Sequence, residues 1–435
     1  PLNLILFFLL VKKKDNNFII FFVFFLSYFI GTINFQINLF SLHDVKTEVM
    51  KVYDNYENFY LKQLTWHLTF SLNILCTILI LKNFKAISLK DNYNIIILIN
   101  LSFLFLITFL IFFQKGNIST NPSYYLNIFG SNKIINSNGL SRTLLIIFIF
   151  AFCKLLVNKK KINFFLILFC FLLSYLIISN EGRLNFISIF TAILLILFLS
   201  SFSFKNKILI FVIIFLTPLL TNIINKGYNF QNGQFNILES LKVNRLFGLQ
   251  GEFRGKIYDK ENIVNLNSNI NEKCERLISN KNEFITKLNV LTTGRVKKWQ
   301  CTLKLKNNFI LGNGPEYDRR IITIDEGNIS TQGQDVANGA LYALISGGIV
   351  GISCYLFILF KYFHMCIHLL ILKEKNYLIN DLFFLSSFVT VGYLIGRSFF
   401  ENGFSSYGID FLIFAPCYIF IFERFNMLES NYRNP

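Results

Sequence analysis

The chain has 435 residues, 53% of them hydrophobic and only 15% charged, with 53 Phe and a formal net charge of +17. One core of this size cannot hide so much apolar surface from water, so composition excludes an ordinary soluble protein and points to the membrane class. The positive charge would suggest nucleic acid in a soluble basic protein, but here it lies in short stretches between apolar runs, so no nucleic-acid partner is expected.

In chain order, the opening PLNLILFFLLV at 1–11 is too short to span a bilayer and reads as the end of a helix that begins upstream. No cleavable signal peptide is visible in it. Apolar runs of roughly 16–23 residues, long enough for a hydrocarbon core of about 30 Å, then recur. They lie at 18–39, 64–82, 94–114, 142–157, 162–179, 184–204, 208–225, 340–363, 378–398 and 409–424. With the fragment at 2–11 these predict about eleven spans, or about twelve with one upstream.

Cations between the runs set the orientation. Lys12, Lys13 and Lys14 come first, then Lys82, Lys85 and Lys90, then Lys159, Lys160 and Lys161. Lys205 and Lys207 follow, then Lys361, Lys373 and Lys375, and finally Arg424. All of these fall on alternate connections, which the positive-inside rule assigns to the cytoplasm. The outer side then holds loops near 41–63 and 115–141, a tight turn at 180–183 and one long polar segment near 226–338. That segment is too long for a plain connector, and NEFITKLNVL and GRVKKWQCTLKL within it have helical spacing of apolar residues. The expectation is an all-α polytopic membrane protein of about 11–12 transmembrane helices with one large periplasmic loop subdomain. Its divisions are N-terminal helices over 1–225, the loop over 226–338 and C-terminal helices over 339–435.

Arginine is distributed unlike lysine. Of eleven Arg residues, nine fall on the expected outer side: Arg142, Arg183, Arg245, Arg254, Arg276, Arg295, Arg319, Arg320 and Arg397. Topology selection does not distinguish the two cations, but phosphate does, because a guanidinium offers a planar fork of donors while an ammonium is a point charge. Arg142, Arg183 and Arg397 sit at the outer ends of spans, where a lipid pyrophosphate would lie. The competing readings are interfacial snorkelling and, for Arg397, a helical pair with Glu401 at i, i+4.

Other motifs are less specific. The glycines of LGNGPE at 311–316 are consistent with a plain turn or with an anion-binding nest of backbone N–H groups. Trp299 follows Arg295 by four residues, one helical face, and suits either sugar stacking or a small local core. Of eight Cys, six fall in apolar stretches and act as small hydrophobes. Cys274 and Cys301 alone fall in the long outer segment, where they either form a disulfide or remain thiols. His364 and His368 share a helix face without a third ligand, so no metal site and no cofactor is expected. Candidate bases on the outer side are Asp335, Glu181 and Glu401.

This layout resembles the O-antigen ligase and polymerase superfamily of surface-polysaccharide enzymes. The family's late periplasmic loop carries Gly-Arg, a Trp four residues on, an apolar residue with Gly-x-Gly, and a terminal His-Asn before an amphipathic stretch and the next span. The similar residues here are Gly294, Arg295 and Trp299, then ILGNG, then Asn338 in DVANGALYALISGGIVG. NGLSR at Arg142 and SNEGR at Arg183 resemble the family's outer-face turns, and RSFFENGFSSYGIDFLIF resembles the tail of its polymerases. Ala337 stands where the ligases carry His, which favours a polymerase; Asp335 is the nearby substitute base.

The resemblance implies transfer of glycan from a polyprenyl-pyrophosphate carrier to a sugar hydroxyl of another lipid-linked repeat unit, at the outer face of the bacterial inner membrane. Arg142, Arg183, Arg295 and Arg397 would hold the pyrophosphate, and Arg295, Asp335 and Asn338 would form the catalytic set. A chain-length regulator and a flippase are the implied partners. Alternatives are an O-antigen ligase, a flippase or transporter for lipid-linked sugars, and a glycosyltransferase using a polyprenyl-phosphate sugar. A transporter should show charges or broken helices near mid-membrane, which the sequence does not suggest. The last alternative would use acidic residues such as Asp44, Glu48, Asp54 and Glu57 in an early outer loop.

Overall fold

The computed structural model describes residues 16–41, 64–65, 67–76, 126–127, 134–135, 137–157, 164–179, 183–200, 202–229, 234–235, 296, 299–300, 303, 309–315, 338–371, 381–401 and 409–433. Every expected apolar run with residues in that set is helical; the fragment at 2–11 and the run at 94–114 lie outside it. The helices are α1 (Asn16–Ser41), α2 (His67–Cys76), α3 (Ser137–Val157), α4 (Phe164–Ser179) and α5 (Arg183–Leu199). They continue with α6 (Phe204–Phe211), α7 (Thr217–Gly227), α8 (Gly339–Ile371), α9 (Leu382–Ser398) and α10 (Ile409–Arg433). Strand among the described residues is confined to two antiparallel pairs of two-residue strands. One joins β1 (Leu126–Asn127) to β2 (Ile134–Ile135), and the other joins β3 (Tyr228–Asn229) to β4 (Gln234–Phe235).

The chain divides into two compact units, each assembled from separate stretches. The first comprises Pro1–Phe84, Gly251–Leu372 and Leu394–Pro435; the second comprises Lys85–Gln250 and Lys373–Tyr393.

In the first unit the core is aromatic. Phe21, Phe24 and Phe25 of α1 meet Phe411 of α10 with ring centroids 5.9, 5.7 and 5.5 Å apart, and Phe21 meets Tyr418 edge-on at 5.7 Å. Edge and offset contacts of this kind add to the area that each ring buries. Two turns further along α1 from Phe24, the helix is built for close backbone approach, with Gly31 pressed against α8.

In the second unit Phe186 and Phe190 of α5 pack on Phe215, with centroids 5.5 and 5.2 Å apart. Between α6 and α7, residues Val212–Leu216 widen into one π-turn. The sequence explains it. Pro218 has no N–H to give the Ile214 carbonyl, and its ring would clash there in a regular helix. The wider turn absorbs the conflict, and Val212 O receives both the Thr217 N–H and, at 2.9 Å, its hydroxyl.

Two helical rods, Phe204–Ile224 and Gly339–Leu369, are long and apolar enough to cross a membrane. Large apolar side chains stand exposed along them: Phe204, Ile208, Leu209 and Ile224 on one, Leu356, Phe357, Phe360 and Ile367 on the other.

Candidate functional site

The second of those rods is not one straight helix. The sequence SGG at 346–348 interrupts it, and Gly348 takes φ 64° and ψ −155°, a conformation with positive φ that L side chains rarely adopt. Two contacts show how sharply the axis turns. A Cβ on Gly351 would stand 2.5 Å from the Ala343 carbonyl oxygen, although eight residues of helix normally separate such atoms by about 12 Å. Gly339 and Tyr355, about 24 Å apart along a straight helix, both touch Ser398. The α8 segment is therefore a V, with a short arm at 339–347 and a long arm at 349–371. The expected span at 340–363 is corrected accordingly: the continuous stretch after the break measures about 34 Å.

Breaking a helix strands its carbonyls and N–H groups. The chain repairs this with the loop at 309–315. Asn313 N donates to Ile345 O at 2.7 Å, Gly314 N donates to Ser346 O at 2.9 Å, and Ile349 N donates to Ile310 O at 3.2 Å. In a continuous helix Ile349 N would have served Ile345, so the loop takes over the bonds lost at the break. The α1 helix closes the third side, with Asn34 Nδ2 donating to Gly312 O at 2.7 Å. Glycine is required on every face of this junction. A Cβ on Gly31 would collide with the Ser346 carbonyl, one on Gly314 would lie 2.7 Å from the Thr32 hydroxyl, and one on Gly348 would collide with the Ile310 carbonyl. The nest reading of LGNGPE is thereby overturned: the Asn313 and Gly314 N–H groups that would cup an anion are bonded to carbonyls.

The short arm begins at Asn338. Its Oδ1 accepts the Leu341 N–H at 3.0 Å, capping the helix, and its Nδ2 donates to Phe399 O at 3.0 Å. Ser398 beside it donates to Ile395 O at 2.7 Å, so Tyr355 is the donor in the 2.8 Å bond between the two hydroxyls.

Arg397 is 2% exposed. It donates from Nη2 to Glu401 Oε2 at 3.2 Å, and its Nε lies 3.3 Å from Asp410 Oδ2. The Phe400 and Glu401 N–H groups both reach the Arg397 carbonyl at 2.9 Å, which closes the turn. A buried guanidinium demands such partners, since an uncompensated charge there is strongly destabilising. The i, i+4 pair with Glu401 was readable in the sequence. Asp410 was not, because it is brought in from the next helix.

Of the remaining candidates, Arg142 lies half-buried in the second turn of α3, and Arg183 is the first residue of α5; both belong to the second unit. Arg295, Asp335, Cys274 and Cys301 lie outside the described residues. Among the described residues Cys76, Cys153, Cys170, Cys354, Cys366 and Cys417 are free thiols. The His364 and His368 rings lie tilted with centroids 4.5 Å apart, and no third metal ligand joins them among the described residues.

No protein-family model, curated protein or solved structure matches this chain.

Proposed function

We propose that the chain is a polytopic enzyme of the bacterial inner membrane that polymerises polyprenyl-pyrophosphate-linked oligosaccharide repeat units at the outer face. One observation carries this reading. Three stretches that resemble the O-antigen polymerase and ligase superfamily are tied to one helical segment of the first unit: Asn338, which caps it, bonds to Phe399 in the turn at 397–401, and the loop at 309–315 bonds to its break. Unrelated apolar helices would have no reason to bring those stretches together.

The exposed apolar side chains along both long rods support the membrane setting. In water a surface of this kind would be an aggregation hazard, whereas lipid solvates it. In this reading the long segment at 226–338 is periplasmic, and outer-side arginines hold the pyrophosphate. They stabilise the charge that develops as it departs, a main lever for catalysis without a metal.

The break at Gly348 is also what a lipid-linked-sugar transporter would contain, so that reading gains a specific observation. It remains second because the break is filled by the chain's own loop, whereas a transporter would line a substrate cavity with it. Deleting the gene and resolving the surface polysaccharide on a gel separates the readings. A polymerase leaves single repeat units on the surface, a ligase leaves long unattached chains, and a flippase leaves no surface glycan. A normal ladder would end the proposal.

A further inference from the structure

Arg397, Glu401 and Asp410 form a cluster of one guanidinium and two carboxylates. Both carboxylates reach the same cation. The two carboxylates differ in access. The Asp410 side chain is 6% exposed and reaches Arg397 from α10, so it serves as the enclosed counter-ion. The Glu401 side chain is 27% exposed and lies where α9 ends.

Three constraints hold Glu401 in place. The Arg397 Nη2 fixes the direction of its Oε2. Two backbone N–H groups, one of them its own, close the turn onto the Arg397 carbonyl. Phe399, two residues before it, binds the Asn338 side chain. The carboxylate therefore sits in the same turn that anchors Asn338, on a rigid support and with access to solvent. A general base requires that combination of fixed direction and reach.

We propose that Glu401 is the base that accepts the proton of the acceptor sugar hydroxyl, an assignment that rests on the polymerase reading above. In the step, the hydroxyl O–H bond breaks and its proton passes to the Glu401 carboxylate. The hydroxyl oxygen bonds to the anomeric carbon of the donor, and the carbon–oxygen bond to the diphosphate breaks, its electron pair leaving with the diphosphate. Glu401 then returns its proton to water at its exposed side. Arg397 is the positioning residue, and Asp410 keeps Arg397 in place.

The test uses the full-length protein in lipid nanodiscs. The substrate is polyprenyl-diphosphate-linked repeat units extracted from cells that lack this chain. Glu401→Gln keeps an oxygen for Arg397 but cannot take the proton. Its turnover should fall roughly 100-fold or more, with donor binding and melting temperature unchanged. Glu401→Ala should regain turnover as sodium formate is added, because a small carboxylate can occupy the vacated position; a merely structural role would not respond to formate. Three results overturn the assignment alone: Glu401→Gln turnover within about threefold of wild type, a variant that also loses donor binding, or an Ala variant that formate does not restore. A folded wild-type protein that forms no linkage overturns the polymerase reading, and the role of Glu401 with it.

Discussion

At Gly348 a helix stops and turns back on itself; at Val212–Leu216 a helix merely widens. Both places carry a residue that a regular helix resists, yet the repairs differ. The π-turn satisfies its backbone from within, since Val212 O takes the Thr217 N–H and hydroxyl. The break at Gly348 cannot do so, and it borrows donors and an acceptor from a loop more than thirty residues away in sequence. A local repair serves only the helix that contains it. A distant one ties a polar segment to a membrane-type helix and fixes where Asn338, at the tip of the short arm, must lie. The first kind tolerates change, whereas the second should fail as a unit.

The largest expected effect follows from that difference. Gly348→Val combines a positive φ with a collision against the Ile310 carbonyl. Strain and overpacking together should cost about 3–5 kcal/mol, seen as a collapse of the melting temperature in nanodiscs and of steady-state protein level. An unchanged melt would mean that the V is not the resting fold. The smallest effect belongs to the π-turn. Thr217→Val removes one hydroxyl bond whose acceptor keeps its backbone donor, so the cost should be about 0.5–1.5 kcal/mol with normal polysaccharide. A large loss there would place the π-turn, too, among the junctions that hold the protein together.

The sequence made some of this legible and hid the rest for physical reasons. Apolar run length reported the helices, because a 3.6-residue repeat buried or lipid-facing on all sides needs only hydrocarbon. The pair Gly347–Gly348 was visible, but an isolated Gly-Gly inside an apolar run reads equally as close helix packing, so 340–363 read as one span. What decides between the two is the loop at 309–315, and its bonds are made by backbone atoms. Backbone donors carry no residue signature, which is also why LGNGPE could not be told from an anion nest. Arg397 illustrates the same limit. Its partner one helical turn away was readable from spacing, while Asp410 comes from the next helix, which no local pattern encodes. Asn338 stood out only through resemblance; its capping of α8 is a local contact that an Asn at a helix start can suggest, whereas its bond to Phe399 is a tertiary fact.

The central structural claim is that the loop at 309–315 sits in the break of α8. Ile310 and Ile349 share a backbone hydrogen bond there and both are exposed, so each can become Cys at little cost. The direct measurement starts from a chain stripped of its eight native cysteines, carrying Ile310→Cys, Ile349→Cys and a protease site inserted between them. In membranes, a short bifunctional thiol reagent followed by proteolysis should leave the two fragments joined on a denaturing gel, and the single-Cys controls should separate. Fragments that separate equally in the double-Cys protein would contradict the account.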